Sequence, residues 1–301
     1  MDTLNSIKAF TKVVDSGSFT GAAKALGQTK SAVSKHVAQL EEHLGARLLN
    51  RTTRAVSPTE EGLAFHSRCL RILSDLEDAE RSVADLHSTP RGTLRINAPV
   101  NFGGRYLADA VADFMKTHSE LNVELDLNDR LVDVVDEGFD VVIRITSMPD
   151  SSLFARKISP FRRVICATPE YWRKHGKPEH PSELTNHNCL LYTYLLTGNE
   201  WSFDGPDGTF NVKITGSFKA NNGDVLVSAA SNGLGVLAAP TFIAHDAVKE
   251  GILEPVLMDY TETKASIYAV YPHSRHLSAK VRLFVDFLIE RYSPEPPWDT
   301  I

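Results

Sequence analysis

Cysteine is scarce. Cys69, Cys166 and Cys189 are the only three in 301 residues. Their number is odd and they lie far apart, so no CxxC or other zinc-ligand spacing can be drawn. Three reduced, buried thiols are expected. No run of about 18 apolar residues occurs and no signal-peptide pattern opens the chain, so a soluble, cytoplasmic protein without a membrane partner is expected. The chain has no Walker loop, no HExxH and no GxSxG. GLGVLA (233–238) matches a dinucleotide fingerprint by letters alone. That fingerprint follows a strand and opens a helix, whereas these glycines follow a helix and lead into a strand, so they read as a turn. His175, His180, His187 and Cys189 fall in a polar, proline-containing stretch without tight spacing and read as surface histidines rather than metal ligands. No cofactor, metal site or catalytic residue is expected.

Positive charge is also in short supply overall, with a net charge of −6, but it is unevenly spread. Residues 1–58 hold eight Lys/Arg and four Asp/Glu, a net of +4, which leaves −10 for the other 243 residues. A basic module on an acidic body suggests a nucleic-acid-facing surface at the N-terminal end. The 42% hydrophobic content suits two domains or one large one.

Within the basic part, GQTKSAVSKHVAQLEEHLG (27–45) carries Val33, Val37, Leu40 and Leu44 at helical spacing. Its first half bears small hydroxyls and cations, and its carboxylates, Glu41 and Glu42, come near the end. The helix dipole favours the reverse order, so an anionic surface against the first half is the better explanation. A helix over about 3–15 precedes it, then FTGAAKAL with Ser18 as N-cap; Gly27 and Gly45 are stops, and Thr29 or Gln28 caps the third helix. Two helices joined by a short turn make a helix-turn-helix pattern. ARLLNRTTRAVSP (46–58) reads as a hairpin or wing. Pro58 and Thr59 open a long helix reaching about residue 88, whose Leu63, Leu70, Leu73, Leu76, Val83 and Leu86 form a heptad-like seam; dimerisation and packing on its own domain are both open for it. Residues 88–92 are the best linker.

Beyond it strands alternate with helices: LRINA, a helix with Leu107, Val111 and Phe114, VELDLN, a short helix in LVDVVDEG, then DVVIRI. This implies a mainly parallel sheet. A second lobe begins near RRVICAT (162–168), SIYAVYP returns as a strand, and AKVRLFVDFLIERY (279–292) is an amphipathic helix. The tail SPEPPWDT is expected to fray.

The order SFTGAAKALGQTKSAVSKHVAQLEEHLGARLLNRTTRAVSPTEEG, then GTLRINAP, resembles the LysR-type transcriptional regulators. EGFDVVIRI, DSSLFARKI, NGLGVLAAP and AVYPHSRHLSAKVRLFVDFL extend the resemblance over essentially the whole chain, most closely to the branch with DSSL and an R-x-F-V-D-F-L ending. The resemblance implies an all-α winged helix-turn-helix, a long linker helix and a two-lobed α/β effector domain similar to periplasmic solute-binding proteins. The expected boundaries are 1–58 for the DNA-binding domain, 59–91 for the linker and 92–301 for the effector domain. Its lobe I takes about 92–161 and 267–301, and its lobe II about 162–266.

A recognition helix enters the major groove N-terminus first. Thr29, Lys30 and Ser31 fit base edges, and Ser34, Lys35 and His36 fit bases or phosphates. Ser34 stands at the family's nearly standard serine, and Lys35 and His36 where Arg and Gln are commoner. Ser18 places its helix N-terminus at a phosphate, and Arg51, Thr52 and Arg54 form the wing tip, whose arginines suit a narrow minor groove. In the body, Pro99, Val100, Asn101 and Phe102, with Arg144, Thr146, Phe203, Asn221 and Asn222, are the candidate effector contacts between the lobes. Core packing competes for Phe203, carboxylate pairing for Arg144 and helix capping for the two asparagines. The expectation is a non-enzymatic regulator that binds an inverted-repeat operator in double-stranded DNA and a small metabolite, with an anion as one option. It would act as a homodimer or homotetramer, with RNA polymerase as a further partner if it activates. The alternative is a solute-binding or catalytic α/β domain whose N-terminal module serves only for assembly.

Overall fold

A computed structural model describes residues 2–51, 56–84, 90–134, 137–147, 153–195, 197–205, 208–261, 265–272 and 278–300. The chain divides into two compact units, residues 1–88 and 89–301.

The first unit contains α1 (Thr3–Ser16), α2 (Phe19–Leu26), α3 (Lys30–Leu44), β1 (Leu49–Arg51), β2 (Val56–Pro58) and α4 (Glu60–Ala84). Local chemistry sets its boundaries. Asp2, Ser18 and Thr29 each accept a backbone N–H three residues on, and Gly17, Gly27 and Gly45 end their helices at positive φ. The core gathers Phe10, Val13, Ala22, Val33, Val37, Leu40, Leu48 and Cys69. Leu44, expected on the buried stripe of α3, is 42% exposed at the last residue of the helix. Pro58 does not open α4 but pairs with Leu49 in the wing. Thr59 caps α4 instead, its hydroxyl accepting from Gly62 N at 2.9 Å while donating to the Arg47 carbonyl at 2.8 Å. A Cβ on Gly62 would stand 2.0 Å from the Leu48 carbonyl oxygen, so only glycine lets α4 cross the wing this closely.

The second unit has two lobes. Lobe I contains β3 (Gly92–Ala98), α5 (Val100–Phe102), a π-helical turn (Gly103–Leu107), α6 (Ala108–Thr117), β4 (Leu121–Leu127), β5 (Val141–Thr146) and β6 (Leu153–Pro160). Lobe II follows with β7 (Arg163–Ala167), α7 (Pro169–His175), β8 (Cys189–Tyr192), β9 (Glu200–Gly205), β10 (Gly208–Lys213), β11 (Lys219–Ala220), α8 (Gly223–Ser231), β12 (Val236–Pro240), α9 (Thr241–Lys249) and β13 (Glu254–Val256). The chain then returns to lobe I through β14 (Ser266–Pro272) and α10 (Ala279–Tyr292). The sheet orders are β4-β3-β5-β14-β6 and β11-β8-β12-β7-β13.

The sheets are mixed, not mainly parallel. β3 runs parallel to β4 and β5, but β14 is antiparallel to both β5 and β6. In lobe II, β12 is parallel to β8 and antiparallel to β7. A strand arriving from the other lobe needs no helical crossover and is free to run against its neighbours. The β9–β10 hairpin is an addition to the elements the sequence pattern suggests. In LVDVVDEG, the described residues 131–134 and 137–138 form no helix. Leu131 and Asp133 are exposed while Val132 and Val134 are buried beside Val142 and Val270, a period of two that sheet packing rewards.

The tail is not frayed. Trp298 is 1% exposed, with ring centroids 4.4 Å from Tyr106, 5.1 Å from Tyr292 and 5.6 Å from Phe102. The Thr241 hydroxyl donates to Asp299 Oδ1 at 2.6 Å, and His245 Nδ1 lies 3.2 Å from the Trp298 carbonyl oxygen. The last residues therefore fasten α9 to the core of lobe I.

Candidate DNA-recognition and effector sites

Helix α3 turns Val33, Val37 and Leu40 into the core. Ser31, Lys35, Ala38 and Glu42 then share an outward line at helical spacing. Thr29, Lys30, Ser31 and Lys35 are exposed and Ser34 is half-buried. The Thr29 and Ser31 hydroxyls lie 3.0 Å apart, and no acidic residue stands in the first turn. Glu42 sits eleven residues beyond Ser31, about 16 Å along the axis. Glu41 acts elsewhere. Its Oε1 accepts the backbone N–H groups of Leu48 and Leu49 at 2.9 and 3.1 Å, tying the wing to α3. Ser18 caps α2 and is half-buried.

His36 departs from the expected DNA surface. It is half-buried with its Nδ1 enclosed and without a hydrogen-bond partner. It also lies near Asp2, whose carboxyl is held below its ordinary range by the Asn5 N–H it caps and further by His36. One position from Val37 and three from Val33, it belongs to the flank that packs rather than the face that protrudes. Arg51 ends β1; its side chain, like Thr52 and Arg54, lies outside the described residues.

The candidate effector contacts divide. Phe102 is fully buried against Phe242 and Trp298, and Phe203 fills the core of lobe II beneath the Arg163 guanidinium at 5.0 Å. Both are core residues, not cleft walls. Arg144 donates to the Val132 carbonyl at 2.8 Å, and burial holds its pKa below the usual value. Its main partner is thus a backbone oxygen rather than a carboxylate. Asn222 caps α8, accepting from Asp224 N and Val225 N, while Asn221 is exposed. Thr146 ends β5, half-buried.

Pro99 and Val100 are half-buried, and Asn101 links the lobes directly. Its Oδ1 accepts the Gly223 N–H at 3.1 Å, and its buried Nδ2 has no partner. The Val100 N–H, a candidate effector donor by sequence, already donates to Asp129 Oδ1 at 3.0 Å. Asp129 and Tyr192, which face each other from the two lobes, escape sequence reasoning, because nothing local distinguishes them. A second link joins Arg105 to Asp224 at 2.7 Å and Asp246 at 3.2 Å.

Burial pushes the thiols up, Cys69 to about 11 and Cys166 and Cys189 to about 12, so they stay protonated at neutral pH. His187, expected at the surface, is buried between Tyr171 and Trp172, and burial followed by the nearby His175 depresses its pKa. No group of three or more His, Cys, Asp or Glu is placed to hold a metal among the described residues. No helix there is long and apolar enough to cross a membrane.

A helix-turn-helix with a wing, followed by a two-lobed α/β unit, defines a DNA-binding regulator with a small-molecule domain. Residues 4–63 match the bacterial regulatory helix-turn-helix protein model of the lysR family, and residues 87–293 match the LysR substrate binding domain. The chain belongs to the LysR family of transcriptional regulators. It is 40% identical over 281 residues to an uncharacterised HTH-type transcriptional regulator of Haemophilus influenzae, covering 93% of this chain and 98% of that one. Among solved structures, it resembles CrgA of Neisseria meningitidis (TM-score 0.61, 34% identity, 96% of this chain and 99% of that one). It also resembles the Vibrio cholerae virulence activator AphB (TM-score 0.59, 32% identity, 95% of this chain and 98% of that one). Its relatives are transcriptional regulators, not enzymes, which sets aside the catalytic alternative.

Proposed function

We propose that this regulator reads an inverted-repeat operator with Thr29, Lys30, Ser31, Ser34 and Lys35, anchored by Ser18 and by a wing carrying Arg51, Thr52 and Arg54. The observation that carries the reading is the first half of α3, which exposes hydroxyls and cations with no carboxylate in its first turn. A small-molecule effector binds between the lobes near Val100, Asn101, Thr146 and Asn222, and its differential affinity for two lobe arrangements shifts the regulator's state. The protein acts in the cytoplasm as a homodimer or homotetramer, and it contacts RNA polymerase where it activates. Leu63 and Ile72 on α4 support assembly, being 56% and 52% exposed. Leu73 of the expected seam instead packs against its own domain. The domain divisions are 1–58, 59–91 and 92–301.

Within the family we place the chain in the branch with DSSL and the R-x-F-V-D-F-L ending. Supporting this, Arg156, just after the first motif, donates to Asp286 of the second at 2.5 Å. Residues 150–152 of DSSL lie outside the described residues.

A salt titration of binding to an enriched operator tests the recognition surface. Each lysine that neutralises a phosphate should lower the salt slope by about one when it is replaced by alanine. An unchanged slope and affinity in a Lys30→Ala/Lys35→Ala protein would remove this surface from recognition.

A further inference from the structure

The cleft assigned above to the effector already contains a carboxylate. Asp129 lies in lobe I, two residues beyond β4, and is half-buried. Its Oδ1 takes the Val100 N–H at 3.0 Å. From lobe II, the hydroxyl of Tyr192 faces the same carboxylate; that phenol is pushed above its ordinary range by burial and then by the charge of Asp129. Nearby cations are engaged elsewhere: Arg144 with the Val132 carbonyl, and Arg130 with Glu137. Among the described residues Asp129 forms no salt bridge. Exposed apolar groups adjoin these two residues along the chain: Leu131 two residues beyond Asp129, and, next to Tyr192, Tyr194 with its ring 6.0 Å away and Leu195, whose N–H donates to the Tyr192 carbonyl.

A half-buried carboxylate without a cation favours a donor brought to it and repels another anion. We propose that Asp129 is the specificity-determining residue of this cleft: it fills the Val100 amide with its own carboxylate and so selects an effector that presents an ammonium or hydroxyl group on an apolar body over one that presents a carboxylate. The inference rests on the interlobe reading of the effector site. It also argues against the anion option, because the Val100 amide that could hold an anion is taken.

The test is thermal unfolding of the full-length protein, wild type, Asp129→Ala and Asp129→Asn. Sodium acetate and ethylammonium chloride are each compared with sodium chloride at equal ionic strength. Asp129→Ala should melt about 3 °C lower in chloride. Acetate should recover most of that loss while shifting the wild type less, because only the variant has an empty seat. Ethylammonium should stabilise the wild type and not Asp129→Asn, which keeps an acceptor for Val100 but no charge. Equal acetate shifts in wild type and Asp129→Ala, or equal ethylammonium shifts in wild type and Asp129→Asn, would overturn the assignment. If Asp129→Ala does not fold, the ethylammonium comparison alone decides. Selection of operator DNA by the same wild-type protein separates the two levels. A repeat enriched without the acetate and ethylammonium effects removes only the Asp129 assignment. The effects without an enriched repeat remove the proposed operator reading and leave the seat standing.

Discussion

Helix α3 and the interlobe cleft are both polar, yet they are built in opposite ways. On α3 the polar groups that matter face solvent, held by an apolar stripe beneath them. In the cleft the polar groups are answered from within the protein: Asn101 by Gly223, Val100 by Asp129, Arg144 by Val132. The first surface is complete before its partner arrives, which suits a rigid duplex. Of these three bonds only Asn101–Gly223 joins the two lobes, so a ligand that competed for it would be coupled to lobe arrangement.

Substitutions can pull these two designs apart. The largest effect should come from Trp298→Ala, which removes a fully buried indole from the Phe102, Tyr106, Phe242 and Tyr292 cluster. It should cost about 3–5 kcal/mol in chemical denaturation, confined to the 89–301 unit. A smaller loss, or one seen equally in the N-terminal unit, would break the contrast. Lys30→Ala/Lys35→Ala should do the reverse. Operator affinity should fall about 100-fold or more in fluorescence anisotropy, with stability within about 0.5 kcal/mol of wild type. Glu41→Ala removes the acceptor for Leu48 and Leu49 and should cost about 1–3 kcal/mol in the N-terminal unit, weakening DNA binding only through the wing. Thr29→Ala should be the mildest in stability, about 1 kcal/mol for a lost cap, with its larger penalty in affinity. Equal losses in both would reduce Thr29 to a capping role.

The same contrast explains what could be read from the sequence. Ser18 and Thr29 accept from amides three residues away, and Val33, Val37 and Leu40 repeat within one helix, so the proposed recognition surface is written locally. His36 misleads because its type suits DNA while its angle on the helix suits packing. In the body the deciding partners are distant. Gly223 lies 122 residues from Asn101, and Trp298 finds Phe102 and Tyr106 about two hundred residues back. A tail rich in proline and charge gives no sign of that burial. Phe203 suits a cleft wall and a core equally by type, and only the fold of β9 on β10 decides between them. LVDVVDEG fits a helix by length, but Val132 and Val134 are buried on Val142 and Val270 in alternation with exposed Leu131 and Asp133.

The most direct test of the central claim is selection from a pool of genomic DNA fragments at roughly physiological salt, where non-specific contacts weaken. Wild type and Lys30→Ala/Lys35→Ala would be run side by side. The predicted result is an inverted repeat, with half-sites on successive turns of the duplex, enriched by the wild type and lost with the variant. The same repeat retained equally by both proteins would contradict the assignment of DNA recognition to the first half of α3.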